Sequence, residues 1–223
     1  MQNSVKKPAI IQMRLKNVSK LLICIYSFVF LNGFIGLPIH PATAEPEDEE
    51  LLSKKRVIYR IKPEKRGGEA FKMIYLVPVP VDVFWKFKTD FQGTFLLSNR
   101  YIKIHRFIQK VGNETITENI YSNVPNETFR WRTIAHPGQY RLDFQLENPE
   151  DCGQKFHYGT IQLVPFRSYT KVTQIAYFDF FGASLWVNRP FRGGMSTFLI
   201  YTARWEIETI SRIRDQYASQ PAK

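Results

Sequence analysis

The sequence predicts an α+β domain in which a curved antiparallel sheet of about seven strands wraps around one long C-terminal helix. Three observations carry this. From Tyr101 to Phe181 apolar and polar residues alternate between turn signals at VGN, VPN, HPGQ, NPEDCG and VPFRS, the period-two pattern of half-buried strands. From Met195 to about Tyr217 the apolar residues recur instead at helical spacing, giving a stripe that needs a sheet to cover. Between the first strands and this meander stands VPVPVDVFWKFKTDF, where Pro80 suits a helix start and Val83, Phe84 and Phe87 recur at helical spacing.

The chain ahead of the domain has a different character. Residues 1–44 hold Lys6, Lys7, Arg14, Lys16 and Lys20 but no carboxylate, and they run into the apolar stretch LLICIYSFVFLNGFIGL. This is the order of a signal segment, with cleavage expected after Ala44 because Ala42 and Ala44 fit a small-x-small site. A start at Met13 gives a more usual basic region. The alternative is an uncleaved anchor, since the apolar run approaches bilayer length. Under both the basic end stays inside and the domain lies outside, periplasmic or extracellular.

Residues 45–54 are acidic and lack periodicity, which predicts a mobile leader. Residues 55–218 form the domain, and 219–223 a disordered tail. Removing residues 1–44 leaves 26 Lys plus Arg against 20 Asp plus Glu, a net charge of about +6. These charges alternate along strands rather than forming blocks, which argues against nucleic acid as a partner and leaves weak peripheral attraction to anionic headgroups. Cys24 falls in the signal segment, so Cys152 has no intramolecular partner and reads as an incidental surface thiol.

Within the domain, RVIYRI and AFKMIYLV flank KPEKRGGE as a hairpin, which adds a strand at the N-terminal side. A short helix is expected over Val81–Lys88, and GTFLLSNR supplies one more helical turn. About six strands follow. Requiring apolar residues to face one another sets their register, because a slip of one residue turns a strand's inward set outward. Across VGN this pairs Ile108 with Ile116 and Ile104 with Ile120, and so Arg106 with Glu118. Across HPGQ it pairs Trp131 with Phe144, and across PFRS it pairs Leu163 with Thr170 and Ile161 with Val172. On the C-terminal helix the inward face holds Met195, Phe198, Leu199, Thr202, Trp205, Ile210 and Ile213.

A strand, a helix carrying Pro80, Val83, Trp85 and Asp90, a meander whose later strand bears Trp131, and a long final helix together resemble the START-like helix-grip superfamily. That group includes the polyketide cyclase/dehydrase and coenzyme-Q-binding START branches. The resemblance covers roughly Arg56 to Tyr217 and rests on structural rather than catalytic positions. It implies a cavity between sheet and helix that accepts a lipid, sterol, quinone or polyketide. The helix near Val81 separates this architecture from a lipocalin-like barrel.

The inward-facing set makes Arg106, Glu118, Trp131, Phe144, His157, Gln174, Phe178 and Trp205 the candidate cavity residues. For most of them simple core packing is the competing explanation. Arg106, Glu118, His157 and Gln174 are the informative ones, since polar groups inside must be paired, hydrated or used. His157 and Glu118 lie on strands that should not be neighbours, and no nucleophile stands beside them. The histidines His105, His136 and His157 lack metal-ligand spacing, and no Gly-rich phosphate loop is present. The expected function is therefore that of a monomeric, exported carrier of an apolar small molecule or lipid, without cofactor. A cyclase or dehydratase acting on such a molecule and a structural module with a filled core are the alternatives.

Overall fold

The computed structural model describes residues 46–182 and 194–219. The expected signal segment with its Ala42 and Ala44 motif, Cys24 and the last four residues lie outside them. Eight strands form one antiparallel sheet in the order β1-β2-β8-β7-β6-β5-β4-β3. They are β1 (Arg56–Ile61), β2 (Glu69–Val77), β3 (Ile102–Val111), β4 (Glu114–Tyr121), β5 (Val124–His136), β6 (Arg141–Leu146), β7 (Gln154–Phe166) and β8 (Tyr169–Phe180). This is the expected helix-grip architecture, seven strands plus the additional N-terminal one. Between β2 and β3 the chain crosses to the far edge of the sheet through helix α2 (Val81–Thr89) and a 3₁₀ turn, Thr94–Ser98.

Residues 46–54 are not the mobile leader that their acidity suggested. They form helix α1 (Pro46–Lys54). Leu51 is fully buried against Val57, Ile74 and Leu76, and Lys171 binds Asp48 at 3.0 Å. Leu51, with Leu52 half-buried beside it, the ion pair to Lys171 and a hydrogen bond from the Tyr59 hydroxyl to Glu50 hold the helix down, and none of these creates a period that a sequence window detects. Cys152 is likewise no surface thiol. The 3₁₀ turn Glu150–Cys152 folds it beneath Phe129 and Leu146, where it is buried.

The last helix, α3 (Gly194–Ala218), lays Met195, Leu199, Ala203, Ile210 and Tyr217 on a core shared with β2, β7, β8 and α2. Phe84 and Phe87 of α2 join it from the side. Full burial of a Leu, Ile, Met or Phe side chain contributes about 1.5–3 kcal/mol, so the contact of α3 with the sheet supports the fold substantially.

Register departs from expectation in two instructive ways. Across the β3–β4 hairpin, Ile104 does face Ile120 and Arg106 faces Glu118, but Ile108 is bulged out and Gln109 takes its place opposite Ile116. The turn is the two-residue Gly112-Asn113, with Gly112 at φ +58°, and the bulge absorbs the residue that a three-residue loop would have held. Ile108 is consequently exposed. In the other two hairpins the pairing moves by two residues: Trp131 faces Leu146, Thr133 faces Phe144, Leu163 faces Val172 and Ile161 faces Gln174. A shift of two preserves which face each side chain takes, so the inward sets of β5 to β8 survive. Both shifts arise at turns with a non-glycine residue in the left-handed region, Tyr140 at φ 50° and Arg167 at φ 55°, which composition does not announce.

Candidate functional site

Between the sheet and α3 lies a cavity of about 240 Å³. Strands β3 to β8, α2, the 3₁₀ turn and α3 all contribute to its wall. At about 4.8 Å per strand, β3 and β8 would stand about 24 Å apart in a flat sheet. Their shared contact with one small cavity requires the sheet to curl around the helix.

Phe87, Phe95, Trp131, Leu142, Phe144, Ile161, Phe198 and Leu199 give the wall its apolar character. Gly159, between His157 and Ile161 on β7, is required here. A Cβ at that position would come within 2.0 Å of the Ile175 carbonyl oxygen and 2.6 Å of the Phe144 ring. The missing Cβ leaves room for the Phe144 ring, which meets Trp131 edge-on with ring centres 6.0 Å apart.

Of the expected cavity residues, the structure brings Trp131, Phe144, His157, Gln174 and Trp205 to the cavity wall. Trp205 approaches it from α3, packing on Phe87 and Phe95 and donating its Nε1–H to Ser98 Oγ at 2.9 Å. It does not pack onto Trp131 or Phe144. Phe178 is buried beside His157 and stacks on Phe71, off the wall.

Arg106 and Glu118 are the correction. They do face each other across β3 and β4, with Nη1 and Oε2 3.7 Å apart, but on the outer face of the sheet, where the Arg106 side chain is 54% exposed. Glu118 holds Arg130 more closely, at 2.7 Å. The residues that β3 and β4 present to the cavity are instead Ile102, His105, Thr117, Asn119 and Tyr121. Apolar matching misassigned these strands because their inward face is the more polar one. Ile104 and Ile120 mark the outer side.

Three polar groupings border the cavity. In the first, Lys88 Nζ donates to Glu206 Oε1 at 2.6 Å while the Tyr75 hydroxyl donates to the other carboxylate oxygen. Lys88 and Glu206 are 12% and 4% exposed, so this is a buried pair. Burial, with the adjacent Glu206 charge, pushes the Tyr75 hydroxyl well above its usual range. The helical repeat Leu199, Ala203, Glu206, Ile210 carried the signal, since it places a carboxylate within the apolar stripe.

In the second grouping, His105 donates Nε2–H to the Phe91 carbonyl at 2.8 Å and turns Nδ1 toward the Asn119 amide at 2.7 Å. Tyr121 stands beside Asn119 and Trp131, its hydroxyl pushed up to about 12 by burial.

The third is His157 alone. It is 5% exposed, ringed by Trp131 at 4.9 Å, Phe178 at 5.7 Å and Phe144 at 6.2 Å, and its Nδ1 is buried without a hydrogen-bond partner. Burial lowers its pKa to about 3, so the imidazole is neutral near pH 7. Glu118 does not reach it, which removes a carboxylate–histidine pair from the chemistry available here.

Against solved structures, the chain matches Ara h 8.0201 at 12% identity and a TM-score of 0.51, over 67% of this chain and 99% of that one. It matches norcoclaurine synthase from Thalictrum flavum, in complex with dopamine and hydroxybenzaldehyde, at 14% identity and a TM-score of 0.50, over 71% and 90%. The chain has the START-like helix-grip fold. At these identities the likeness concerns the helix-grip fold alone. No protein-family model and no curated protein sequence matches the chain. Among the described residues of this helix-grip domain, no group of three or more His, Cys, Asp or Glu is arranged to hold a metal ion.

Proposed function

We propose that this helix-grip domain binds and carries an apolar small molecule in the cavity between sheet and α3, on the far side of the membrane from which it is exported. The observation that carries the proposal is the cavity itself. It holds about 240 Å³ behind a mainly aromatic and aliphatic wall, whereas a well-packed core leaves few voids larger than a water molecule. An apolar cavity of about 150 Å³ accepts benzene, so the volume favours one or two rings, or a short acyl segment, over a whole sterol. The norcoclaurine synthase structure, of the same fold, was solved with dopamine and hydroxybenzaldehyde, which supports ligands of that size.

A carrier role fits the polar groups better than acid–base catalysis does. With a pKa near 3, His157 is too weak a base to take a proton efficiently near neutral pH. Export rests on the basic and apolar N-terminal segment and on Ala42 and Ala44. N-terminal sequencing of protein recovered outside the cytoplasm should give Glu45, and an intact Leu21–Leu37 segment would establish the anchored form instead.

Displacement of an environment-sensitive apolar dye tests the binding. Naphthalene and short fatty acids should displace it from the full chain, and Thr133→Phe, which adds a ring to the cavity wall, should abolish dye binding while the protein stays folded. Dye binding unchanged by Thr133→Phe would place the dye elsewhere and refute the proposed site.

A further inference from the structure

Neutral hydrogen-bonding groups stand unsatisfied on both walls of the cavity. On the sheet, His157 is more than nine-tenths buried and its Nδ1 lacks a partner, as does the Trp131 Nε1–H, which can only donate; on α3, the buried Thr202 Oγ1 lacks one too. Both residues line the same space. Buried polar groups are almost always paired, and one left unpaired in a native protein calls for a reason. The usual structural reasons fail for His157. It is ringed by Trp131, Phe144 and Phe178, and its Nδ1 makes no hydrogen bond that would tie one element to another.

The charged pair Lys88–Glu206 differs in kind. It is satisfied within the protein and with Tyr75 ties α2, α3 and the sheet together. His157 and Thr202, with the Trp131 Nε1–H as a donor only, are thus the wall groups with hydrogen-bonding capacity left for something that enters.

We propose that His157, assisted by Thr202, is the polar anchor of the cavity and selects aromatic ligands that carry a neutral hydroxyl or carbonyl oxygen. A neutral imidazole offers one donor nitrogen and one acceptor nitrogen, and a threonine hydroxyl can do either. Together they suit a neutral oxygen and offer no charge to a carboxylate or an ammonium. The ring of such a ligand would lie among Trp131, Phe144 and Phe198, where edge and face contacts between aromatic rings are favourable. This assignment rests on the binding function proposed above and names its ligand class.

Isothermal titration of the full chain with 1-naphthol and with naphthalene, two probes that differ by one hydroxyl, tests it. One hydrogen bond to a buried neutral partner should make 1-naphthol bind about tenfold more tightly. His157→Phe should bring the two affinities together, and His157→Gln, which retains a donor and an acceptor, should keep part of the preference. Should His157→Phe fail to fold, Thr202→Val should still narrow the ratio. Equal affinities in the unaltered protein, or a ratio that survives both His157→Phe and Thr202→Val, would overturn the anchor and leave cavity binding intact. Binding of neither probe by folded protein would overturn both.

Discussion

Removing the Lys88 charge should destabilise the domain more than any change at its outer face. The Glu206 carboxylate is 4% exposed and is held by Lys88 Nζ at 2.6 Å and by the Tyr75 hydroxyl. Lys88→Met keeps most of the side chain's length and removes the cation, leaving a buried carboxylate with a single neutral donor. Breaking a buried pair in this way costs about 3–5 kcal/mol, because the remaining charge has lost both its water and its partner. Adding Glu206→Leu removes the uncompensated charge and should recover most of that loss. The residue should be about 1–3 kcal/mol, the cost of the Tyr75 hydroxyl left unpaired, and Tyr75→Phe in the same background should recover that as well. Urea unfolding of the parent, the two single variants and the double variant gives the coupling energy directly. A Lys88→Met variant within about 0.5 kcal/mol of the parent, or a coupling near zero, would refute the buried pair as the joint between α2 and α3.

Trp205→Ala should cost about 3–5 kcal/mol as a buried aromatic truncation, since its ring packs on Phe87 and Phe95; unfolding that matches the parent would mean the helix face is rotated. For His157 the sign is fixed by its depressed pKa: folded near 3 and unfolded near 6.5, it leaves the unfolded state holding the extra proton between those values. Its contribution is therefore fully present above pH 6.5 and lost as pH falls toward 3, with a slope of up to about 1.4 kcal/mol per pH unit. Unfolding free energies of His157→Phe should fall less steeply than the parent's between pH 6 and 4, and parallel profiles would show that the ring is solvated. Arg106→Met should change stability by no more than about 1 kcal/mol, because that side chain is 54% exposed; a loss of several kcal/mol would return the pair to the interior.

The fold was legible because its signals are local and repeated. Alternation from Tyr101 to Phe181, the helix beginning at Val81 and the stripe from Met195 each span many residues, and they agree with one another. The cavity was legible where the sheet obeys the rule that inward means apolar, which gave Trp131, Phe144 and His157 their places, while the helical stripe gave Trp205 its own. It failed on β3 and β4, where His105, Thr117, Asn119 and Tyr121 face inward. There the rule turned Arg106 and Glu118 the wrong way. Lys88 and Tyr75 could not be joined to Glu206 from sequence at all, because they lie on three different elements and meet only when α3 docks. Helix α1 was missed for a related reason. Among its described residues Leu51 is the one fully buried residue holding it to the sheet, and one residue makes no pattern.

Native mass spectrometry of the purified full chain, followed by organic extraction of what co-purifies, tests the central claim most directly. A helix-grip domain with an open cavity of about 240 Å³ should carry a bound small molecule in a one-to-one ratio. Extraction should release an apolar compound of one or two rings or a short acyl chain, and Thr133→Phe should purify without it. A mass equal to that of the polypeptide alone from every source, together with no uptake of 1-naphthol or naphthalene by the folded protein, would contradict the claim and make the domain a structural module.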